Sequence, residues 1–251
     1  MKNLLYLLVL VLLGASLTAC DDDDDGASEP AAPRVFIYHA SPNAPAVDVY
    51  LNGELSGVQG LSYGNGTDGY VNLSAGDIEV AIAPAGQPVD SAVYSSTLTL
   101  EQGYSYSVFA HGILGAPGDS AFALLTLEDD LSPPTEDNAR VRVLHLGHDA
   151  PDVSVVSLEN LGDDTGQPVT GLTDLSYPQA SAYTDLGAGD YILGLAAAGS
   201  NDVAYEMGPA SFEQELHYTA IASGYFGVAP GTPGRFRVDI VENTPPTVDS
   251  P

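Results

Sequence analysis

Two short segments of this chain match patterns that, in the right setting, carry covalent or phosphate chemistry. Gly60-Leu61-Ser62-Tyr63-Gly64 fits G-x-S-x-G. That turn presents a serine nucleophile between a strand and a helix, with a histidine and an acid supplied from elsewhere. Gly64-Asn65-Gly66-Thr67-Asp68-Gly69 fits G-x-G-x-x-G, which cradles a pyrophosphate where a helix N-terminus comes next inside a βαβ unit. The sequence offers neither setting. The next residues, Tyr70-Val71-Asn72-Leu73, have the pattern of a strand. Farther on, Leu175-Ser176-Tyr177 returns with Asp174 and Pro178 in place of the glycines. The shared feature is therefore a strand, and a hydrolase centred on Ser62 is a remote alternative.

His39 and His145 stand at matching places, each at the end of a strand and just before a Pro-rich turn. A metal is conceivable, with Asp48 near the first and His148, Asp149 and Asp152 near the second. There is no H-x-H pair and no H-E-x-x-H, and Ser154 stands where Asp48 would recur. The expectation is that each imidazole hydrogen-bonds the following turn and fixes its shape. His111 and His217 fall at different points of their repeats and are expected to be incidental. Asp21, Asp23, Asp25 and Gly26 match the start of a calcium loop, but its twelfth position is Ala32 instead of a bidentate Glu. No metal, cofactor or catalytic residue is expected, and the protein is expected not to be an enzyme.

Cys20 is the single cysteine. Before it come Lys2, the apolar run Leu4 to Leu13, and Leu17-Thr18-Ala19. Ten apolar residues are too few to span a bilayer, since a helix needs about 20. The pattern resembles the bacterial lipoprotein signal, with cleavage between Ala19 and Cys20 and lipid attachment at Cys20. Residues 1–19 are thus a signal peptide and 20–33 a lipidated, flexible, acidic tether whose Asp21 to Asp25 repel one another. The expected location is the bacterial cell envelope, facing the periplasm or the surface. The outer membrane is the expected one, although the choice of membrane stays open. A net charge of −28 excludes nucleic acid as a partner.

The remainder is two copies of one β unit. Arg34-Val35-Phe36-Ile37-Tyr38-His39 aligns with Arg140-Val141-Arg142-Val143-Leu144-His145, Leu61-Ser62-Tyr63 with Leu175-Ser176-Tyr177, and Leu73 to Asp77 with Leu186 to Asp190. Each copy holds seven or eight short alternating segments and no helix-period stretch. Asn52-Gly53 marks a hairpin. The expected fold is all-β: two tandem immunoglobulin-like or transthyretin-like β-sandwiches over 34–128 and 140–242, joined by a polar linker at 129–139, with a disordered tail at 243–251. Each sandwich is expected to fold independently. Fourteen Tyr and no Trp point to core and cross-strand tyrosines, Tyr104, Tyr106, Tyr191 and Tyr218 among them, more than to a glycan-stacking face.

His39-Ala40-Ser41-Pro42-Asn43-Ala44-Pro45-Ala46-Val47-Asp48-Val49-Tyr50-Leu51-Asn52-Gly53, with Gly60 to Gly64 and Leu73 to Gly76 after it, resembles the signature of the bacterial domain-of-unknown-function 4397 family. The resemblance covers most of 34–127 and is weaker over 140–242. It implies a repeated extracytoplasmic β module, often in tandem and often on lipoproteins, with no activity attached. Together these features imply a non-catalytic, lipid-anchored envelope protein presenting two modules for binding or adhesion. The partners would be the membrane, through the lipid on Cys20, and an extracytoplasmic protein or glycan. The alternative is a structural spacer or stabilising component of an envelope assembly.

Overall fold

A computed structural model describes residues 31–243. The signal, Cys20 with its cleavage site, the aspartate run and residues 244–251 lie outside the described residues. Among the described residues the helical segments are two 3-10 turns, Val89–Ser91 and Gly118–Ser120, and no helix is long and apolar enough to cross a membrane.

Module 1 contains β1 (Arg34–His39), β2 (Val47–Leu51), β3 (Glu54–Leu55), β4 (Val71–Asn72), β5 (Gly76–Pro84), β6 (Tyr94–Leu100), β7 (Ser105–His111) and β8 (Ala123–Glu128). Two sheets, β4-β1-β7-β8 and β3-β2-β5-β6, enclose a core that includes Val35, Val47, Val49, Val80, Ile82 and Val108. Asn52 and Gly53 both have positive φ, as the tight β2–β3 hairpin requires.

Module 2 contains β9 (Asn138–Leu146), β10 (Val153–Leu158), β11 (Gln167–Pro168), β12 (Gln179–Ala180), β13 (Thr184–Gly187), β14 (Gly189–Ala197), β15 (Val203–Phe212), β16 (His217–Ser223) and β17 (Arg237–Glu242). Its sheets are β12-β9-β16-β17, with β13 also on β9, and β11-β10-β14-β15. In each module the first strand runs parallel to a late one, β1 beside β7 and β9 beside β16. An immunoglobulin sandwich instead groups its first, second, fifth and fourth strands in one sheet. The order here departs from that outline, and each module is a β-sandwich of two four- or five-stranded sheets.

The two sandwiches are not separated by solvent. β1 and β7 present Val35, Tyr106 and Val108 to the core of module 1, while their other face carries Phe36, Tyr38 and Phe109. That face packs on Leu144, Leu146 and Ile221 from β9 and β16, so four sheets stack face to face with a third apolar layer between the modules. Both faces of β7 and β16 are buried along their whole length. Each module has its own core and shares another with its neighbour, so the two are packed together. A free module would expose the shared face.

The segment expected to be a linker is irregular and mostly exposed over 131–137, and departs from that expectation at its ends. Strand β9 begins at Asn138, inside it. Asp129 is buried, and Arg140 holds the next residues by donating to the Ser132 carbonyl at 3.1 Å and pairing with Asp130 at 3.1 Å. Asn243, assigned to a frayed tail, is buried and donates its N–H to the His217 carbonyl at 2.8 Å. Tyr104, expected in a strand, is instead an exposed residue of the β6–β7 turn.

Candidate binding cleft

The β1–β2 corner is built around a buried imidazole. His39 donates Nε2–H to the Pro45 carbonyl at 3.1 Å, and its Nδ1 accepts the Ser41 N–H at 3.3 Å. His145 repeats this with Pro151 at 3.0 Å and Gly147 at 3.4 Å. A carbonyl can only accept and an amide N–H only donate, so the pair of bonds fixes one neutral tautomer. Burial depresses both pKa values and keeps the rings neutral. Asp48 does not approach His39. Its two oxygens accept the Gly60 and Gly86 N–H groups, each at 2.7 Å, and so tie two loops to β2. Ser154 keeps one such bond, from the Asp174 N–H at 3.0 Å. Among the described residues no three metal-binding side chains gather.

Ser62 is exposed, and its hydroxyl faces the Gly60 carbonyl at 3.4 Å. The G-x-G-x-x-G segment runs along the edge of β1: Gly64 N–H donates to the His39 carbonyl at 2.8 Å and Thr67 N–H to the Ile37 carbonyl at 2.8 Å. No helix comes after it.

What the repeated Leu-Ser-Tyr does is visible only between the modules. Tyr63 reaches from module 1 to Ser223 at the end of β16, with 3.3 Å between the hydroxyls. Tyr177 reaches from module 2 to His111 at the end of β7, 3.0 Å from hydroxyl to Nδ1. The strand registers make Ser223 and His111 equivalent positions, so the two contacts are related by an internal two-fold. His111 is therefore not incidental, and burial lowers its pKa to about 4. His217 is not incidental either, since Nε2 lies 2.9 Å from the Ser132 carbonyl.

Near the centre of the shared layer the symmetry breaks. Phe36 of module 1 corresponds to Arg142 of module 2, which lies buried 2.7 Å from Asp129. Arg142 also donates to Ser107 at 2.9 Å and Thr219 at 2.9 Å. Tyr70 and Ser107 both donate to the second oxygen of Asp129, at 2.6 and 2.7 Å. Each nitrogen of the guanidinium thus faces a polar partner, and Asp129 Oδ1 is held by the ion pair alone, without an aligned hydrogen bond. No residue here was singled out in the sequence, although an arginine within an apolar strand was a usable signal.

The open site lies in module 1. Between the loop 56–61, the segment 66–68 and β4, a cleft of about 540 Å³ enters the sandwich. Its floor is Ile37, Val49, Leu51, Val58, Leu61, Val71 and Leu73, and its polar lining comes from Ser56, Gln59, Thr67, Asp68 and Asn72. Module 2 closes the same place. Val49 N–H donates to the Val58 carbonyl as Val155 N–H does to that of Leu172, so Val58 and Leu172 correspond. Val58, Leu61 and Ile37 are half-buried, whereas Leu172, Leu175 and Val143 are 2%, 6% and 2% exposed. The preceding glycines record the same difference. A Cβ on Gly57 would meet nothing within 4 Å, but one on Gly171 would lie 2.4 Å from the Thr184 hydroxyl.

The family model described as domain of unknown function, DUF4397, matches residues 33–156. Residues 33–156 are thus similar to a DUF4397 domain. The match covers module 1, the cleft, and the path through β9 into β10. A comparison with curated proteins found no match. Among solved structures, one described as alpha-glucan recognition by family 41 carbohydrate-binding modules from streptococcal virulence factors resembles this chain. It covers 82% of this chain and 97% of its own, at 11% identity and a TM-score of 0.24. A likeness at that level says nothing of a ligand for this chain.

Proposed function

We propose that this is a non-catalytic, lipid-anchored protein of the bacterial cell envelope, presenting two β-sandwich modules for binding or adhesion, with the module 1 cleft as the ligand site. The observation that carries the reading is the cleft itself: apolar side chains facing solvent inside a sandwich whose sister copy buries the same positions. Its size and its apolar floor with few polar groups are those of ligand sites in general. The anchor rests on Leu17-Thr18-Ala19-Cys20. The non-catalytic reading draws on Ser62, a bare surface hydroxyl, and on the hydrogen bonds that occupy His39 and His145. Two measurements test the proposal. Cys20→Ser should move the protein from the membrane to the soluble envelope fraction, and mass spectrometry of an unmodified native Cys20 would reject the anchor. Val58→Phe, which fills the cleft, should abolish ligand capture while the fold persists.

The second reading, a structural spacer, is favoured by one observation: the four stacked sheets and the buried ion pair couple both modules into a single body. Full complementation of a deletion strain by Val58→Phe would favour the spacer.

A further inference from the structure

We infer that the module 1 cleft takes the aliphatic chain of a small amphiphile whose head group is neutral or cationic. This rests on the reading of the cleft as a ligand site and adds the ligand's chemical class. The floor is wholly aliphatic, with no aromatic ring to stack on a sugar or a base. Behind it lies an apolar void of about 30 Å³ that shares Ile37, Val49, Leu51, Leu61 and Leu73 with the cleft, so the apolar path continues into the core. His39 borders the void, but both of its nitrogens are already bonded.

The mouth selects by charge. Its one ionisable side chain is Asp68, which is exposed, and no Lys, Arg or His lines the cleft. A carboxylate, sulfate or phosphate head would meet repulsion there, reinforced by a chain of net charge −28. A neutral head can use the side-chain amides of Gln59 and Asn72, the Thr67 hydroxyl being bonded already to the Gly69 carbonyl and the Ile37 N–H, and a cationic head can pair with Asp68. The same charge argues against the chain's own lipid as occupant. Leu73 N–H donates to the Pro33 carbonyl at 3.0 Å, which places the chain's entry beside the cleft. The residues that would have to accompany the lipid in are Asp21 to Asp25.

The test uses the purified protein carrying Cys20→Ser, with the neutral dye N-phenyl-1-naphthylamine as probe. Alkanols, alkyltrimethylammonium ions and alkyl sulfates of four to ten carbons, below their micelle concentrations, compete for it. Each added methylene should strengthen competition about fourfold until the cleft is filled. At low salt the ammonium series should outcompete the sulfate series at equal length, and the gap should close in 1 M NaCl and narrow in Asp68→Asn. Val58→Phe should remove dye binding. If that variant fails to fold, a weakened head-group preference in Asp68→Asn still decides, an unchanged preference counting against the cleft.

A flat chain-length series would overturn the inference. If an oligosaccharide then bound and Val58→Phe blocked it, the cleft would stand as the ligand site and only the ligand class would fall. If a folded Val58→Phe protein left every ligand unaffected, the reading of the cleft as a site would fall too. Dye binding by Cys20→Ser but not by the native acylated protein would make the chain's own lipid the occupant, which also overturns the inference.

Discussion

At three matched positions module 1 leaves Ile37, Val58 and Leu61 half-buried, while module 2 buries Val143, Leu172 and Leu175. The difference extends into the cores. Ile78 and Leu100 of module 1 correspond to Tyr191 and Phe212 of module 2, and Phe212 meets Tyr191 and Tyr218 with ring centroids 5.8 and 5.1 Å apart. Larger side chains fill this part of the module 2 core, and its loop lies against β13, with Gly171 beside Thr184. Module 1 has smaller side chains there, and its loop stands clear, with open space around Gly57. Duplication thus supplied two copies of one backbone plan. Module 2 uses its volume for packing and contributes the buried arginine that pairs with Asp129, while module 1 keeps an open edge. The copy with the fuller family signature is also the one with the cleft.

The largest expected effect tests the asymmetry between the modules. Arg142→Met should cost about 3–5 kcal/mol, because it strands Asp129 as a buried, unpaired charge. Adding Asp129→Asn should recover most of that loss in urea unfolding. A single-variant cost below about 1 kcal/mol would mean that the pair is hydrated in solution, because exposed ion pairs have that value.

Next is the packing contrast itself. Leu172→Ala should cost about 2–5 kcal/mol through the cavity it leaves. Val58→Ala, at the matching half-buried position, should cost about 1 kcal/mol or less. Equal losses in chemical denaturation would mean that the two loops are equally closed in solution.

Acid should act through the buried histidines. Burial is the first cause lowering His39, His111, His145 and His217, with His111 reaching about 4. The unfolded chain titrates these groups near 6.5. Between that value and the depressed folded values it binds more protons than the native state. Stability is therefore full above about pH 6.5 and declines as pH falls toward 4. His111 has Ser223 as its counterpart, so His111→Gln should reduce the slope by at most one proton, about 1.4 kcal/mol per pH unit. Identical slopes for parent and variant in melts at pH 7, 6 and 5 would contradict the assignment.

The smallest effect concerns the reciprocal tyrosines. Tyr177→Phe and Tyr63→Phe should each cost about 1 kcal/mol. Tyr177→Phe should cost more, since its bond to His111 is 3.0 Å while Tyr63 lies 3.3 Å from Ser223 and 3.4 Å from the Arg235 carbonyl. A reversed order in thermal melts would break the match between geometry and energy.

The sequence by itself determined the duplication, the all-β class, the Asn52-Gly53 hairpin and the role of His39 and His145. Each of these is written in a local repeat of type and spacing: alternation of period two, a turn dipeptide, or an imidazole a fixed few residues from a proline carbonyl. The same local reading took Asp129 as part of a solvated linker, Asn243 as a tail and His111 as incidental. Those residues are polar, and polarity alone predicts exposure. Only the tertiary structure decided otherwise, because their partners come from other strands or loops: Arg142 for Asp129, His217 for Asn243, and Tyr177 for His111. The shared layer was out of reach for a related reason. Alternation in Phe36, Tyr38 and Phe109 tells which pleat face a side chain occupies, but not whether that face meets water or another sheet. The cleft was decided in the same way. Val58 and Leu172 are both ordinary aliphatic loop residues, and whether such a loop closes depends on the volume already filled beneath it.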